Sequence, residues 1–265
     1  MNGVLADTLS ELKDRKVVYL FAFVTVLALL VIFAGNKVGD EFSVSMGDLE
    51  GQGVAEGFIT SAAATGFSYF MTILVFLAAM ATAGLIPAML EKGRSEFYLA
   101  RPISRTRLLI SRFFSIWFVY GLLILVCGLV ALAFSAMLLG FAEGRIAWLF
   151  AVYWLNFLIW LSAICLGGLL FRSASGAIML AFLIWLLRKV PGLLDWVNQL
   201  VDWKSLQWLR DVIFYLVPDS SGMGDIAVEL TMGQRVSDWT PLWHSTLVAV
   251  VMLLLAIWVF KRRDY

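Results

Sequence analysis

Few residues in this 265-residue chain are of a type and spacing that do chemistry. It has one histidine, His244, and two cysteines, Cys127 and Cys165. Both cysteines lie inside apolar runs and make no disulfide or metal spacing. No H-E-x-x-H or C-x-x-C occurs, so the sequence indicates no zinc site. No G-x-x-x-x-G-K-S/T stretch occurs either, so the chain has no P-loop with which to hydrolyse ATP. His244 stands at the mouth of an apolar run, where a lone histidine reads as a hydrogen-bonded anchor. Ten methionines include Met71, Met80 and Met89. Soft sulfur suits copper, but a nine-residue spacing drifts around a helix, and methionine commonly fills cores. The sequence therefore assigns no catalytic, cofactor-binding or metal residue.

The elements that would position any site are set by composition. Apolar residues make up 62% of the chain and charged residues 15%, against roughly 45–50% and 25% in soluble proteins. The mean hydropathy is +0.89. A soluble globule of this size has no room to hide so much apolar surface. The fold class is an all-α polytopic membrane protein, read as a single transmembrane domain over 1–265. Six apolar runs are expected to span the bilayer: 17–35, 67–90, 113–139, 147–171, 174–190 and 244–260. None holds an Asp or Glu, and only the fifth ends on basic residues, Arg188 and Lys189, which can snorkel. The first run is too long for a cleaved signal and is followed by no small-residue cleavage site. Segments 1–16, 91–112, 172–173 and 261–265 carry 13 Lys and Arg and 6 acids; segments 36–66, 140–146 and 188–243 carry 7 and 13. The positive-inside rule puts the first set, and both termini, in the cytoplasm. The net charge of +1 points to no nucleic-acid partner.

Between the runs, 36–66 reads as an acidic, Gly-rich external loop. Leu193, Trp196, Val197, Leu200 and Val201 recur at helical spacing, and a second apolar stretch, 206–217, ends at Pro218. The two are expected to form an external helical hairpin, dipping into the membrane or lying on its headgroups. Gly222-Met223-Gly224-Asp225 spells the G-x-G-D of intramembrane aspartyl proteases. That chemistry needs two facing carboxylates in the membrane, and no run holds one, so a turn is the reading here. At the N-terminus Leu5, Leu9 and Leu12 share a helical face, with Asp7, Glu11, Asp14 and Arg15 around the rest. This predicts a short amphipathic helix on the membrane surface. The near-absence of charge from the spans implies that energy enters from outside the membrane; Asn156 and backbone carbonyls remain as in-span ion ligands. The small residues Ala78, Ala79, Ala81, Ala83 and Gly84 suit close helix packing.

The loop 91–112, EKGRSEFYLARPISRTRLLISR, is the strongest feature. Residues 94–100 can form about two helical turns before Pro102, which disfavours helix at Arg101. Ser104 is a good N-cap for the next helix, with Ile103 and Leu108 placed as a hydrophobic staple. A plain basic loop needs no such helix, break and cap.

This stretch resembles the signature of ABC-2 type transporter permeases, through Glu91, Gly93, Glu96, Leu99, Pro102, Ile103, Ser104, Arg105, Leu108, Leu109 and Arg112. Glu11-Leu12-Lys13-Asp14-Arg15 is similar to that family's helix before the first span. Two positions depart: Arg94 stands where a small residue or Thr often follows the Gly, and Arg112 replaces the usual Lys. The resemblance implies the membrane subunit of an exporter in the cytoplasmic (inner) membrane. It implies a dimer with a second, identical or related, permease and two separate ABC ATPase subunits that carry ATP and Mg. It also implies that Glu91, Gly93, Arg94, Glu96, Phe97, Tyr98, Arg101, Pro102, Ser104 and Arg105 couple the chain to the ATPase. A non-transporting scaffold or immunity subunit of the same fold would share these features. A membrane-embedded enzyme would need clustered catalytic residues, which the sequence lacks.

Overall fold

The structure is a computed structural model that describes residues 2–14, 16–46, 52–90, 105–139, 146–200 and 204–262. Its elements are α1 (Asn2–Asp14), α2 (Val17–Met46), α3 (Gln52–Thr82), a 3-10 turn (Pro87–Leu90), α4 (Arg105–Leu139), α5 (Ile146–Phe171), α6 (Ala174–Leu200), α7 (Lys204–Leu216), α8 (Ser220–Thr231) and α9 (Thr240–Arg262). All regular structure among the described residues is helical. In lipid that follows from the backbone, whose N–H and C=O groups find no water and must bond within the segment. Five described stretches are long and apolar enough to cross a membrane: Ala64–Met89, Thr106–Phe134, Ala147–Phe171, Ala174–Pro191 and Thr240–Arg262. Val17–Val31, inside the longer α2, is a shorter apolar stretch.

α5 is the hub. Of its span 67% is buried, against 17% for that of α6 and 22% for that of α9. It packs on α3, α4, α6, α8 and α9, and its Tyr153 and Phe157 join Phe21, Met71, Leu74, Phe113 and Tyr120 in one core cluster. The exposed faces are apolar too: Leu247, Val251, Leu254 and Trp258 recur every three or four residues along α9. Such a stripe faces lipid.

The structure corrects several expected boundaries. The 36–66 connection is largely helix, because α2 runs on to Met46 and α3 begins at Gln52; no proline interrupts that stretch. The second run is not one helix to residue 90. α3 stops at Thr82 because Pro87 lacks an N–H and its ring crowds the carbonyl four residues back. Turns bridge the gap, with the Leu85 N–H donating to the Thr82 carbonyl at 2.9 Å and that of Met89 to Ile86 at 3.1 Å. α4 has 35 residues, about 52 Å at 1.5 Å per residue. Its apolar window starts at Thr106 rather than 113, so Arg107 and Arg112 fall within a span expected to be free of charge. In the external segment, 193–200 is no separate helix: α6 continues through the buried Pro191 to Leu200. Neighbouring elements make a proline tolerable in such a helix, and α7 packs on α6.

At one end of the bundle the chain turns in two residues from α5 into α6. Arg172 adopts a left-handed φ of 53°, and the Ser173 hydroxyl accepts the Gly176 N–H at 3.1 Å. Gly167 and Gly168 let three elements meet there. A Cβ on Gly167 would lie 2.9 Å from the Ala177 Cα, and one on Gly168 3.1 Å from the Pro87 ring. Gly167→Val therefore forces backbone apart and is expected to cost about 1–3 kcal/mol. Gly66→Ala is the control: nothing lies within 4 Å of its added Cβ. Thermal unfolding of the two purified variants in detergent checks this, and equal midpoints would contradict the packing.

Candidate functional site

Of the expected coupling residues, Glu91, Gly93, Arg94, Glu96, Phe97, Tyr98, Arg101, Pro102 and Ser104 lie outside the described residues. Arg105 is the first residue of α4; its side chain is not among those described. What the structure does describe is the frame on either side. Before the segment, Pro87 is wedged on Gly168 of α5. After it, the first turns of α4 bury Leu108, Leu109 and Arg112.

Arg112 is 2% exposed. A guanidinium in such surroundings demands a partner, and α1 supplies it. Nη1 donates to Asp7 Oδ2 at 2.9 Å and to Thr8 Oγ1 at 3.0 Å, and Nη2 pairs with Glu11. Asp7 and Glu11 are one helical turn apart, so both reach the same target. α1 is thus an amphipathic helix turned over. Thr8, Glu11 and Leu12 face the protein, while Leu9 is exposed. The expected arrangement, leucines on one face and acids around the rest of a surface helix, is departed from at Glu11, which is buried against Arg112. The buried charge on α4 outweighs one leucine. The available signal was a pair of acids four apart and an arginine flanking an apolar run.

A second, half-buried charge sits at the opposite end, beyond the last turn of α6's apolar core. Arg188 pairs with Asp219 and lies 4.8 Å from the Phe214 ring centroid. It therefore turns inward rather than snorkelling, whereas Lys189 is exposed over Trp185. Asp219 also caps α8, accepting the Gly222 N–H at 3.0 Å, and its own N–H donates to Ser245 Oγ on α9 at 2.8 Å. His244 is the anchor its position suggested: Nε2 lies 2.9 Å from the Tyr215 carbonyl oxygen, and its ring stacks on Phe214. Gly222-Met223-Gly224-Asp225 forms no turn but the start of α8. The Asp219 cap overrides the two glycines, and Gly222 fits because a Cβ would meet Pro241 at 2.7 Å.

Burial pushes the Asp225 carboxyl up from its ordinary value, and the charges of Asp219 and Glu229 add to this. Asp238 is held below its ordinary value by the Thr240 hydroxyl and backbone N–H, which both donate to it.

Breaking a buried ion pair from one side costs about 3–5 kcal/mol. Arg112→Met is expected to lower the thermal midpoint accordingly and to speed trypsin cleavage after Lys13 as α1 comes free. Arg112→Lys keeps the charge without the fork and should fall between. Wild-type proteolysis of the Met variant would show that α1 is held by other contacts.

No curated protein sequence matches the chain. The sequence model of the ABC-2 family transporter proteins matches residues 5–265, nearly the whole chain. The protein is accordingly a multi-pass membrane component of an ABC transporter, a kind of subunit that works with ABC ATPases and is not itself the catalyst. By that match, this chain belongs to the ABC-2 transporter family.

Proposed function

We propose that the chain is the permease subunit of an ATP-driven exporter in the cytoplasmic membrane. It crosses six times with both termini in the cytoplasm, the span in α2 being the first. Two such permeases, identical or related, enclose the substrate path. Two separate ATPase subunits carry ATP and Mg. The observation that carries this reading is the framing of residues 91–104. On one side is the Pro87 turn wedged on α5; on the other is an α4 base fastened to α1 by the Arg112 ion cluster. A segment hung between two fixed points passes a push to both of them. Glu91, Gly93, Arg94, Glu96, Arg101, Pro102, Ser104 and Arg105 would set the docking shape and register, and Phe97 and Tyr98 would fill the ATPase groove. Closure of the ATPase dimer would then move α3 and α4 from their bases. At the far end, α7 and α8, held to Arg188 of α6 through Phe214 and Asp219, would belong to the external gate.

Buried aromatics are frequent interface hot spots, worth about 2 kcal/mol or more on truncation. The double variant Phe97→Ala with Tyr98→Ala should weaken ATPase co-purification or uncouple hydrolysis from transport, with permease abundance unchanged. Wild-type values of both would reduce the segment to a solvated connection. Topology is tested separately. Cysteines introduced at Ser95 and Ser220 should label from opposite membrane faces, and labelling from one face would sink the six-span arrangement.

A further inference from the structure

One side of α7 is apolar and exposed. Trp208 is 68% exposed, Tyr215 71% and Leu216 68%, and Val212 is exposed with them. The four stand at i, i+4, i+7 and i+8, which is a single face of a helix. The opposite side is the one the protein holds. There Ile213 packs with Ile184 and Val217, and Phe214 meets the Arg188 guanidinium at 4.8 Å and the His244 ring. A contiguous exposed apolar face, unlike scattered single residues, marks a place where something docks.

Two spanning helices fix the level at which this face lies. Arg188 is the fourth residue from the end of the apolar stretch Ala174–Pro191, and His244 is the fifth of Thr240–Arg262. Both are places where a spanning helix leaves the hydrocarbon. Both residues touch the last turn of α7. Arg188 does so through Phe214, and His244 through Nε2, 2.9 Å from the Tyr215 carbonyl oxygen. That turn is therefore pinned at the membrane boundary from two sides. Trp208 lies about 10 Å back from Tyr215 at 1.5 Å per residue. A helix rising from the boundary would carry the Trp208 indole out into water. A helix lying along the boundary keeps the whole face at one depth.

The surroundings identify the occupant. Trp185 and Lys189 on α6 and Trp243 on α9 are exposed at the same end, as is Trp239 just before α9. The Lys189 ammonium lies 5.9 Å from the Trp185 ring centroid. Trp and Tyr collect at the bilayer boundary because the ring is apolar and its polar atom is wet. A docked second copy would cover one patch; aromatics contributed around α6, α7 and α9 suit a surrounding lipid surface. Trp243 also heads the lipid-facing stripe of Leu247, Val251 and Leu254. Its neighbour His244 holds α7, so the exposed face of α7 continues a surface already turned to lipid.

We propose that α7 is an interfacial anchor, its Trp208, Val212, Tyr215 and Leu216 face seated in phospholipid where headgroups meet acyl chains. In the proposed topology this is the outer leaflet. Asp211, exposed and paired with Arg210 at 2.7 Å, marks the wet edge of the face. The bilayer then braces the ends of α6 and α9 through Arg188 and His244. The seat needs only this packing, so it stands apart from the ATPase reading.

The test is spin-label accessibility of the full chain in vesicles of phosphatidylcholine and phosphatidylglycerol. Trp208→Cys, Asp211→Cys, Val212→Cys, Tyr215→Cys and Leu216→Cys are made singly. All five positions are exposed, so the core is untouched; Cys127 and Cys165 are buried, and the unsubstituted chain gives their background. Collisions with oxygen, which partitions into lipid, are compared with those of a water-soluble nickel chelate. Leu254→Cys sets the lipid end of the scale and Arg235→Cys the water end. The ratio of oxygen to nickel collisions should be several-fold higher at 208, 212, 215 and 216 than at 235, and should dip at 211. Nickel-rich values along the whole face overturn the proposal, because α7 then stands in water. A ratio that falls steadily from 216 to 208 overturns it as well, because the helix then rises out of the boundary. So do values low for both reagents, which mean that protein, such as a second copy, covers the face.

Discussion

Apolar contact gives little net drive between helices in a bilayer, because lipid tails are as apolar as leucine. An element that does not span must be fastened by polar bonds, which gain strength in low dielectric. That constraint explains where Arg112 and Arg188 stand. Arg112 on α4 holds α1 through Asp7, Thr8 and Glu11. Arg188 on α6 holds the start of α8 through Asp219. Each guanidinium sits on a spanning helix, and each carboxylate comes from a short helix that does not span. The two clusters lie at opposite ends of the bundle, so each end has one peripheral helix fastened by charge. The remaining assembly is the close packing of α5, where Gly167 and Gly168 bring backbone to backbone.

These fasteners divide the bundle into paths along which a displacement would travel. The base of α3 meets α5 and α6 at Pro87, Gly168 and Ala177. The base of α4 meets α1, and α1 leads into α2 through Lys16, whose φ of 55° is left-handed. A left-handed lysine is a defined corner rather than a continuation of helix. It lets α1 and α2 run in different directions while both pack on α4. In the proposed reading, the segment 91–104 therefore bears on the α5–α6 pair from one side and on the α1–α2 pair from the other. α5 links the two ends, since its first half carries Tyr153 against α3 and α8 and its last turn meets Pro87.

The sequence made the helical class, the apolar stretches and the family signature legible, because hydropathy is summed over many residues and tolerates local error. The 147–171 run needed no correction at all. Boundaries were less legible where one residue outvotes its neighbours. Pro87 stopped α3 eight residues early, while Pro191 failed to stop α6, although the two prolines look alike in a window of sequence. The difference is what surrounds them: a turn can form before Pro87 against Gly168, whereas Pro191 is enclosed by packed helix. The Gly222-Met223-Gly224-Asp225 stretch misled in the same way. Its glycines signal a turn locally, but the Asp219 cap and the tight fit to Pro241 and Tyr153 make them helix.

Charge was the least legible property, for a physical reason. A hydropathy window scores each ionisable residue as if it faced the bilayer alone, and on that basis a span should hold no charge. A buried charge is admissible when its counter-charge is folded against it, and that partner lies 101 residues away for Arg112 and Glu11. The same blindness inverts the reading of α1. Judged alone, its leucines should be buried and its acids wet. Judged with Arg112, leaving Leu9 uncovered forfeits at most about 1.5–3 kcal/mol of burial. Leaving a guanidinium unpaired in the same place costs several kcal/mol more. The ion cluster wins that comparison, and so the helix turns Glu11 inward and brings Asp7 to the same guanidinium.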